Sequence, residues 1–511
     1  ARIMGLISYY RTQNKELIPD VRTNEVINVP MSDYQFLAYS KVRKVEKEQE
    51  KSRKGPSKGK KKSKDKDKDA FEAKSSFRSY SRMHCSFVFP ETIERPIPGG
   101  ELDIESVYMI DGVDEAESQE EKLEIISQGD LEEAAFDPKI RMKAYELAKK
   151  KVLKLLERQK YDLLLKDDAE KLEKYSPKYN LILNNIEKTK GTAFVYTEYK
   201  TLEGIAIFSI ILKANGYAPF IIKKNDRGDW HQEFEEEDDI PKPKFAFWGD
   251  DEETSDIIRK IYNNDFTDIP STLQEELKGH TNLHGETIKI LLTTKTGAEG
   301  IDLKNVRQVH VVEPYWNPVR LKQVKGRAVR VGSHIQLPKD ERNVDIFTYL
   351  SVMTKEQLKL DKTMQEDSNG KSSDEVLFDI SQRKLEVMET LLRLIKEVSI
   401  DCSINFTHTY SEEEPFTCIN FGKQSGYSSI PNISEEHVDT EKTRREKDVE
   451  VKYVLLKLRN KKKEIVEYYK KSGPFPQPFY DKAAVEAKRP GNPVGEVQLT
   501  DDGKKKVVFF K

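Results

Sequence analysis

The chain has 511 residues, of which 36% are hydrophobic and 34% are charged, and its mean hydropathy is -0.72. This length suits two or three domains, and the net charge of -2 hides local blocks of both signs that predict solvated segments beside a core. No run of about 18 apolar residues occurs, which excludes a membrane-spanning helix. Three cysteines (Cys85, Cys402 and Cys418) form no C-x-x-C pair, so we expect a reducing compartment and no disulfide framework.

Two elements are predicted near the N-terminus. Residues 1–10 have the pattern of a strand and its exit. Residues 21–45 predict a strand, a turn at Pro30 and a helix capped by Ser32 or Asp33, because a short polar side chain at that position can accept the first free backbone N–H groups.

A lysine-rich block follows. Residues 41–70 hold 14 Lys or Arg against 6 Asp or Glu, so the block cannot bury a core and we expect it to be disordered. A plain solvated loop, a non-specific contact with a phosphate backbone and a nuclear address are the alternatives for its role.

Residues 71–190 predict a helical and basic insertion. Its first part, residues 75–97, combines basic and aromatic side chains that either grip and stack nucleic acid or pack against a neighbouring domain: Phe77, Arg78, Tyr80, Arg82 and Phe87. Residues 111–135 are acidic and predict a loop, and residues 138–187 predict helices.

Residues 191–222 predict a buried strand, a loop, an apolar helix that ends at Asn215-Gly216, and a further strand. Residues 244–266 repeat the order of strand, acidic turn and helix. This alternation is the pattern of a parallel α/β sheet.

The most informative stretch is residues 288–334. Two apolar runs, predicted as buried strands, flank the polar loop TTKTGAEG, and a Trp-Asn-Pro break leads to a segment that holds Gln323, Arg327 and Arg330. Such an order places charged groups at one edge of a parallel sheet. On a helix, arginines three residues apart share a face, and two permanent charges there suit a triphosphate or a nucleic-acid backbone. A structural salt bridge is the alternative.

The loop itself is a candidate phosphate contact. Gly297 and Gly300 would let the backbone approach a phosphate, unless they serve turn geometry alone. Thr293 and Thr294 can donate hydroxyl hydrogen bonds to a nucleic-acid phosphate.

The C-terminal third is predicted to contain a last strand, two helices and a tail. Residues 344–352 predict a last strand, and residues 374–398 predict a helix whose apolar stripe serves as core or interdomain brace. Residues 439–471 predict a basic amphipathic helix, and residues 474–511 a Pro-rich linker with a short β-like end. Cysteine and histidine spacing in this region is not that of a structural zinc site, so no metal is predicted.

The central stretch resembles a known family. TTKTGAEGIDL, residues 293–303, is similar to motif V of superfamily 2 helicases and translocases of the Swi/Snf-like branch. QVKGRAVRVGSH, residues 323–334, is similar to motif VI, Q-x-x-x-R-x-x-R, and Trp316-Asn317-Pro318 is a further mark of that branch. In particular the chain resembles the helicases of large cytoplasmic DNA viruses, the group that includes the poxvirus early transcription factor helicase subunit.

The resemblance implies an α/β fold, with a RecA-like parallel sheet, flanking helices, a helical insertion and a C-terminal helical extension. Together with composition it predicts six segments: 1–40, the end of a first RecA-like domain and the start of the second; 41–70, a disordered linker; 71–190, the insertion; 191–355, the second RecA-like domain; 356–430, a helical brace; and 431–511, an accessory basic helix and tail.

The resemblance also implies roles for side chains. Arg327 and Arg330 would be arginine fingers that stabilise charge on the γ-phosphate of ATP, Arg330 above all, and Gln323 would orient the attacking water or a phosphate. Gly300 and Asp302 would line the nucleotide site, with Asp302 bridging it to the nucleic-acid side. Nucleic acid would contact Thr293, Thr294, Gly297, Tyr196 and Thr197, although strand-end packing is an equal alternative for the last two.

The predicted function is therefore the C-terminal half of an ATP-dependent helicase or translocase. The lysine loop that binds ATP phosphates and the acidic pair that binds Mg²⁺ are absent from the 511 residues, and the chain begins with Ala. We expect both in a missing upstream half, and we expect this chain alone not to hydrolyse ATP.

Partners and location follow from the same resemblance. We expect nucleic acid, DNA in preference to RNA, and a transcription-factor subunit or RNA polymerase, in the cytoplasm (viral factory or virion) or else the nucleus. Two other functions remain open: a Swi/Snf-type remodeller that moves along duplex DNA, and a non-enzymatic nucleic-acid-binding subunit.

Overall fold

The structure is a computed structural model of the chain. It describes residues 7–9, 17–53, 78–96, 138–249, 251–295, 300–402, 406, 416–418, 453–459, 465–471, 476–486, 493–500 and 504–510. The chain forms two compact units, one of residues 13–389 and one of residues 1–12 with 390–511.

A seven-stranded sheet organises the larger unit, and every strand pairing in it is parallel. Its spatial order is β1-β9-β8-β2-β7-β6-β3. The strands are β1 (Asp20–Pro30), β2 (Thr192–Tyr196), β3 (Ala218–Pro219), β6 (Lys244–Trp248), β7 (Ile290–Thr293), β8 (Val306–Val311) and β9 (Asn343–Val352); β4 (Ile221–Lys224) and β5 (Trp230–Glu233) form a separate antiparallel hairpin. The predicted parallel α/β sheet with flanking helices is confirmed.

Helices cover both faces of this sheet. Along the chain they are α1 (Asp33–Arg53), α2 (Ser79–Ser86), α3 (Pro138–Arg158), α4 (Lys160–Leu163), α5 (Leu172–Tyr175), α6 (Pro177–Glu187), α7 (Ile205–Ala214), α8 (Glu252–Tyr262), α9 (Ser271–Glu276), α10 (Pro318–Ala328), α11 (Lys355–Leu360), α12 (Lys362–Glu366) and α13 (Ser373–Glu397). The last of these runs across the boundary between the two units.

Strand β2 shows why the sheet lies in the centre of its unit. All five residues of TAFVY are buried, and alternate side chains enter opposite cores, as the two-residue period of a strand requires. Ala193 and Val195 join the cluster that packs against α6 and α7, whereas Phe194 and Tyr196 join the cluster that packs against α8 and α10.

The edge strand β1 comes from far outside residues 191–355. It pairs with β9 in parallel over its whole length, from Asp20 opposite Asn343 to Pro30 opposite Val352. The next helix begins at Asp33, and the Ser32 hydroxyl accepts the Gln35 N–H at 3.0 Å, which confirms the predicted cap. The strand predicted at residues 1–10 lies outside the described residues except for 7–9, which have no strand structure.

The lysine-rich block is partly ordered, so the prediction of disorder from residue 41 is wrong as far as Arg53, where α1 ends. The reason is Arg43, whose side chain is 1% exposed and pairs with Glu50 and Asp367, each at 2.8 Å. One buried, well-partnered arginine anchors a helix that composition alone places in solvent. Residues 54–77 lie outside the described part of the chain.

The basic and aromatic residues after this block are internal packing groups. Phe87 has no exposed surface, and Arg78 and Arg82 are buried. The Arg78 guanidinium donates to the Ser368 hydroxyl at 2.6 Å, and Arg82 lies over the Tyr199 ring. Of the two predicted roles, packing is therefore the one observed, and a nucleic-acid grip by these three side chains is wrong. Phe77 lies outside the described residues.

The smaller unit contains a five-stranded antiparallel sheet in chain order, with a short helix between its third and fourth strands. These elements are β10 (Tyr453–Arg459), β11 (Ile465–Lys471), β12 (Gln477–Asp481), α14 (Lys482–Glu486), β13 (Gly495–Leu499) and β14 (Lys505–Phe509). The helix predicted over 439–471 is wrong where the structure describes it. Val454, Leu456 and Leu458 alternate with period two, and their cross-strand partners on β11 stabilise a strand instead.

A disulfide joins Cys402 and Cys418 in this unit, so the expectation of no disulfide is wrong for these residues. They are brought together by a small apolar cluster with Phe406 and Phe416, which a search for C-x-x-C spacing cannot detect. Cys85 is buried and unbonded. Among the described residues no helix is long and apolar enough to cross a membrane.

Candidate nucleotide and nucleic-acid site

Two predicted site residues from different motifs meet directly. The Arg330 guanidinium forms an ion pair with the carboxylate of Asp302, and their side chains are 40% and 63% exposed. Asp302 follows Gly300, whose φ of +84° is a conformation that glycine adopts without strain. The loop after β7 and the segment after α10 therefore form one solvent-facing charged site.

The Trp-Asn-Pro break defines the start of α10. Asn317 is its N-cap and accepts the Val319 N–H at 3.1 Å, while Pro318 occupies the first turn, where no backbone donor is needed. Trp316 is half-buried, and the Lys384 ammonium lies 4.3 Å from its ring centre. These contacts make Trp316 a packed aromatic.

The two arginines do not share a helical face. Helix α10 ends at Ala328, so it contains Gln323 and Arg327, four residues apart on one side, but not Arg330. Arg330 lies in the turn that follows, where its Nε donates to the Gly326 carbonyl at 3.4 Å. The premise that spacing alone aligns both guanidinium groups is wrong, and the pair with Asp302 orients Arg330 instead.

The threonines after β7 are buried. Thr293 has no exposed surface and donates its hydroxyl to the Trp248 carbonyl at 3.3 Å, and Thr294 is 6% exposed. In this conformation neither is presented to a phosphate, contrary to the prediction. Gly297 lies outside the described residues.

Tyr196 and Thr197 are buried as well. The Tyr196 hydroxyl donates to Glu198 at 2.5 Å, and the Thr197 hydroxyl donates to Glu313 at 3.0 Å. Burial and the Glu198 carboxylate raise the pKa of Tyr196 far above its usual range. Strand-end packing, the alternative for these two residues, is the role observed.

Sequence analysis missed Glu313, which is fully buried at the end of β8. Its carboxylate accepts hydrogen bonds from the Ser86 hydroxyl at 2.8 Å, the Thr197 hydroxyl and the Glu198 N–H, each at 3.0 Å. Burial raises its pKa to about 7. The sequence does show a single acid directly after the apolar run 306–312. An acid in that place is more simply explained by a surface loop, so burial was not expected.

Glu313 thereby connects three parts of the chain at the carboxyl edge of the sheet. Helix α2 supplies one donor, and the loop after β2 supplies two. The same loop continues to Glu198, which is paired with Arg320 of α10 at 3.3 Å. The network holds the start of the arginine-bearing helix against the end of β2.

The charged edge suits an anionic ligand. Gln323 is exposed, Arg327 is half-buried, and the Asp302–Arg330 pair lies at the surface, and guanidinium groups bind phosphates well. Among the described residues no group of three or more His, Cys, Asp or Glu could hold a metal ion.

Comparison with known proteins finds a family model that matches part of the chain. The model of the helicase conserved C-terminal domain matches residues 265–332, a range that contains Gln323, Arg327, Asp302 and Arg330 but not Tyr196 or Thr197. Residues 265–332 are therefore similar to a helicase C-terminal domain, and they contribute β7 and β8 to the parallel sheet.

Its relatives are helicases of large DNA viruses. It is 25% identical over 465 residues to a candidate ATP-dependent RNA helicase of Acanthamoeba polyphaga mimivirus, covering 82% of this chain and 49% of that protein. It is 32% identical over 247 residues to the termination factor NPH-I homologue of African swine fever virus, covering 46% of this chain and 34% of that protein. The chain thus spans about half or less of these relatives' length.

Among solved structures, the C-terminal part of the Fun30 ATPase domain matches with a TM-score of 0.33 and 13% identity, covering 72% of this chain and 99% of that one. The Pyrococcus furiosus Hef helicase domain matches with a TM-score of 0.27 and 16% identity, covering 69% and 60%. Likenesses at this level say nothing about activity.

Proposed function

We propose that this chain is the part of an ATP-dependent nucleic-acid helicase or translocase that supplies arginine fingers. The observation that carries the proposal is the Asp302–Arg330 pair at the solvent-facing edge of a helicase C-terminal domain. In that position Arg330 is pre-oriented by a carboxylate, and exchange of this partner for a γ-phosphate brings its charge to the reaction.

The chemistry assigned to this chain is electrostatic. As the γ-phosphate is attacked, charge shifts over its oxygens, and a guanidinium from the second domain stabilises that charge across the cleft. In this proposal Gln323 and Arg327, which are four residues apart on one side of α10, contact the same phosphate chain. The nucleotide cradle and the Mg²⁺ ligands belong to a partner domain in this proposal. Closure of the two domains would then move a nucleic-acid strand.

We propose a role with viral nucleic acid, in the cytoplasm or virion, with DNA as the expected substrate; the relatives' names support the helicase role. One relative is named as a termination factor homologue, which supports a transcription role beside an RNA polymerase or a transcription-factor subunit. Another is named as an RNA helicase, so the substrate itself has to be measured.

The test uses full-length protein in an ATPase assay with and without DNA or RNA, together with strand displacement on a tailed duplex. A helicase hydrolyses ATP and displaces the strand. A duplex translocase of the remodeller type hydrolyses ATP and moves along duplex without displacement. Binding without any nucleic-acid-stimulated hydrolysis would overturn the proposal in favour of a non-enzymatic binding subunit.

A further inference from the structure

The C-terminal sheet holds a surplus of positive charge. Residues 451–511 contain 15 Lys or Arg and 7 Asp or Glu, out of 87 and 89 in the whole chain. This segment therefore carries +8, whereas the other 450 residues together carry -10. Several of these lysines lie on the described strands, and the strand register shows which face of the sheet each one occupies.

Strand register separates the two faces of this sheet. Tyr453 is opposite Lys471, and Tyr469 is opposite Tyr480, so all four share a face, here called the tyrosine face. Register continues through β13 to β14, where Val508 and therefore Lys506 lie on the same side.

Three tyrosine rings on adjacent strands form the centre of the tyrosine face. The Tyr453 ring packs edge-on against Tyr480 at 5.8 Å and against Tyr469 at 6.4 Å between ring centres. All three residues are half-buried, so the rings are held in place yet keep exposed surface. Lys471 and Lys506 are exposed on either side of them.

Two acidic residues of the described strands, Glu467 and Glu496, share the tyrosine face, and Glu496 accepts a hydrogen bond from the Gln498 amide at 2.5 Å. Glu467 pairs with Lys457 at 3.0 Å and with Lys482 at 2.7 Å, and these ammonium groups lower its pKa. Two cations around one carboxylate leave the local charge positive.

The opposite face forms the core of this sheet. Phe479 has no exposed surface and packs against Tyr468 and Phe509, each with ring centres 5.2 Å apart. Gly495 fits beside Phe479 because a Cβ there would lie 2.5 Å from its ring. The residues with the least exposed surface thus lie on the Phe479 face, whereas the three tyrosines on the other face are half-buried and keep some exposed surface.

We propose that the tyrosine face binds single-stranded nucleic acid, at a site separate from the helicase C-terminal domain. Adjacent strands are about 4.8 Å apart, so their tyrosine rings offer neighbouring π-surfaces on which bases stack without sequence preference. The flanking lysines contact phosphates. Aromatic rings combined with net positive charge match single-stranded nucleic acid better than they match an apolar protein surface.

The test measures binding of fluorescent dT20 and U20 to the intact chain without ATP, over a range of salt. The charge-reversal variant Lys471→Glu/Lys506→Glu alters the tyrosine face. Its matched control, Lys470→Glu/Lys505→Glu, makes the same charge change one residue away on the other face. Far-UV circular dichroism and thermal melting establish that both variants are folded.

We expect the tyrosine-face variant to bind at least about tenfold more weakly and to lose about 1.4 from the slope of log affinity against log salt, as two single-strand phosphate contacts require. Tyr469→Ala weakens binding at least about fivefold. Photo-crosslinking with 5-iodouracil oligonucleotide places adducts within residues 453–482.

Equal affinity of the two charge variants, or crosslinks confined to residues 190–335, would overturn the proposal and favour a protein partner for this face. These measurements need no ATP. The proposal for the tyrosine face can therefore be contradicted while ATP hydrolysis by full-length protein is observed, or the reverse.

Discussion

The ammonium of Lys178 lies 2.7 Å from a carboxylate oxygen of Asp374, and neither side chain has any exposed surface. The Ser351 N–H donates to the same carboxylate oxygen at 3.1 Å. One buried ion pair thus joins helix α6 of the insertion, the first turn of α13 and the end of β9. Three segments that are far apart in sequence depend on it.

Lys178→Met should destabilise the larger unit by about 3–5 kcal/mol, because it leaves the Asp374 charge buried without its partner. The measurement is chemical denaturation followed by circular dichroism. Lys322→Met is the control, since its pair with Glu389 joins side chains that are 56% and 45% exposed, and such pairs are worth about 0–1 kcal/mol. A loss below about 1 kcal/mol for Lys178→Met would contradict the account.

Glu313 should make stability depend on pH. Burial raises its pKa to about 7 from an ordinary value of 4.5, so between these values the folded state holds a proton that the unfolded state has released. Its contribution to stability therefore falls as pH rises from 4.5 to 7, and it is constant outside that window. Glu313→Gln, which cannot ionise, should escape this loss. Melting temperatures of both proteins against pH measure the difference, and a constant difference across the window would contradict the assignment.

Gly204 should not tolerate a side chain. A Cβ there would lie 1.9 Å from the Tyr199 carbonyl oxygen, which is backbone and cannot rotate away. Gly204→Ala should therefore cost about 1–3 kcal/mol, as overpacking does. Gly326 in α10 is the matched control, because a Cβ there meets nothing within 4 Å, and Gly326→Ala should gain about 0.5–1 kcal/mol. Equal effects of the two changes on the unfolding free energy would contradict this packing.

The number of free thiols tests the disulfide directly. Protein unfolded without reductant should take up one iodoacetamide group, at Cys85, and three after reduction, by intact mass. Three groups without reduction would show that Cys402 and Cys418 are thiols. Cys418→Ser is the informative variant, since it should expose one new alkylation site at Cys402.

Sequence analysis predicted the α/β sheet because its strands are short apolar runs bounded by turn residues. Val306–Val312 and TAFVY are examples. Both runs form buried strands, and their apolar composition is visible without knowledge of tertiary contacts. The same logic failed for residues 453–471, where a basic apolar pattern fits a helix or a paired strand equally. Cross-strand pairing with β11 decided between them.

Motif spacing selects candidate site residues, but it does not give their geometry. Motif spacing selected Asp302 and Arg330, yet nothing in the spacing says that α10 stops at Ala328 or that the carboxylate and the guanidinium meet. The burial of side chains was the second property that the sequence did not show. Thr293, Tyr196 and Thr197 carry the hydroxyl groups that a phosphate contact needs, but the sheet ends enclose them. Only tertiary packing sets that exposure.

The most direct test of the central proposal is the steady-state ATPase rate of full-length protein carrying Arg330→Ala. An arginine finger acts on the transition state, so kcat should fall by about 10³–10⁵ while KM for ATP changes little. Arg383→Ala, an exposed arginine of α13, is the control and should leave both constants unchanged. A folded Arg330→Ala protein whose kcat stays within about threefold of the unaltered enzyme would contradict the proposal.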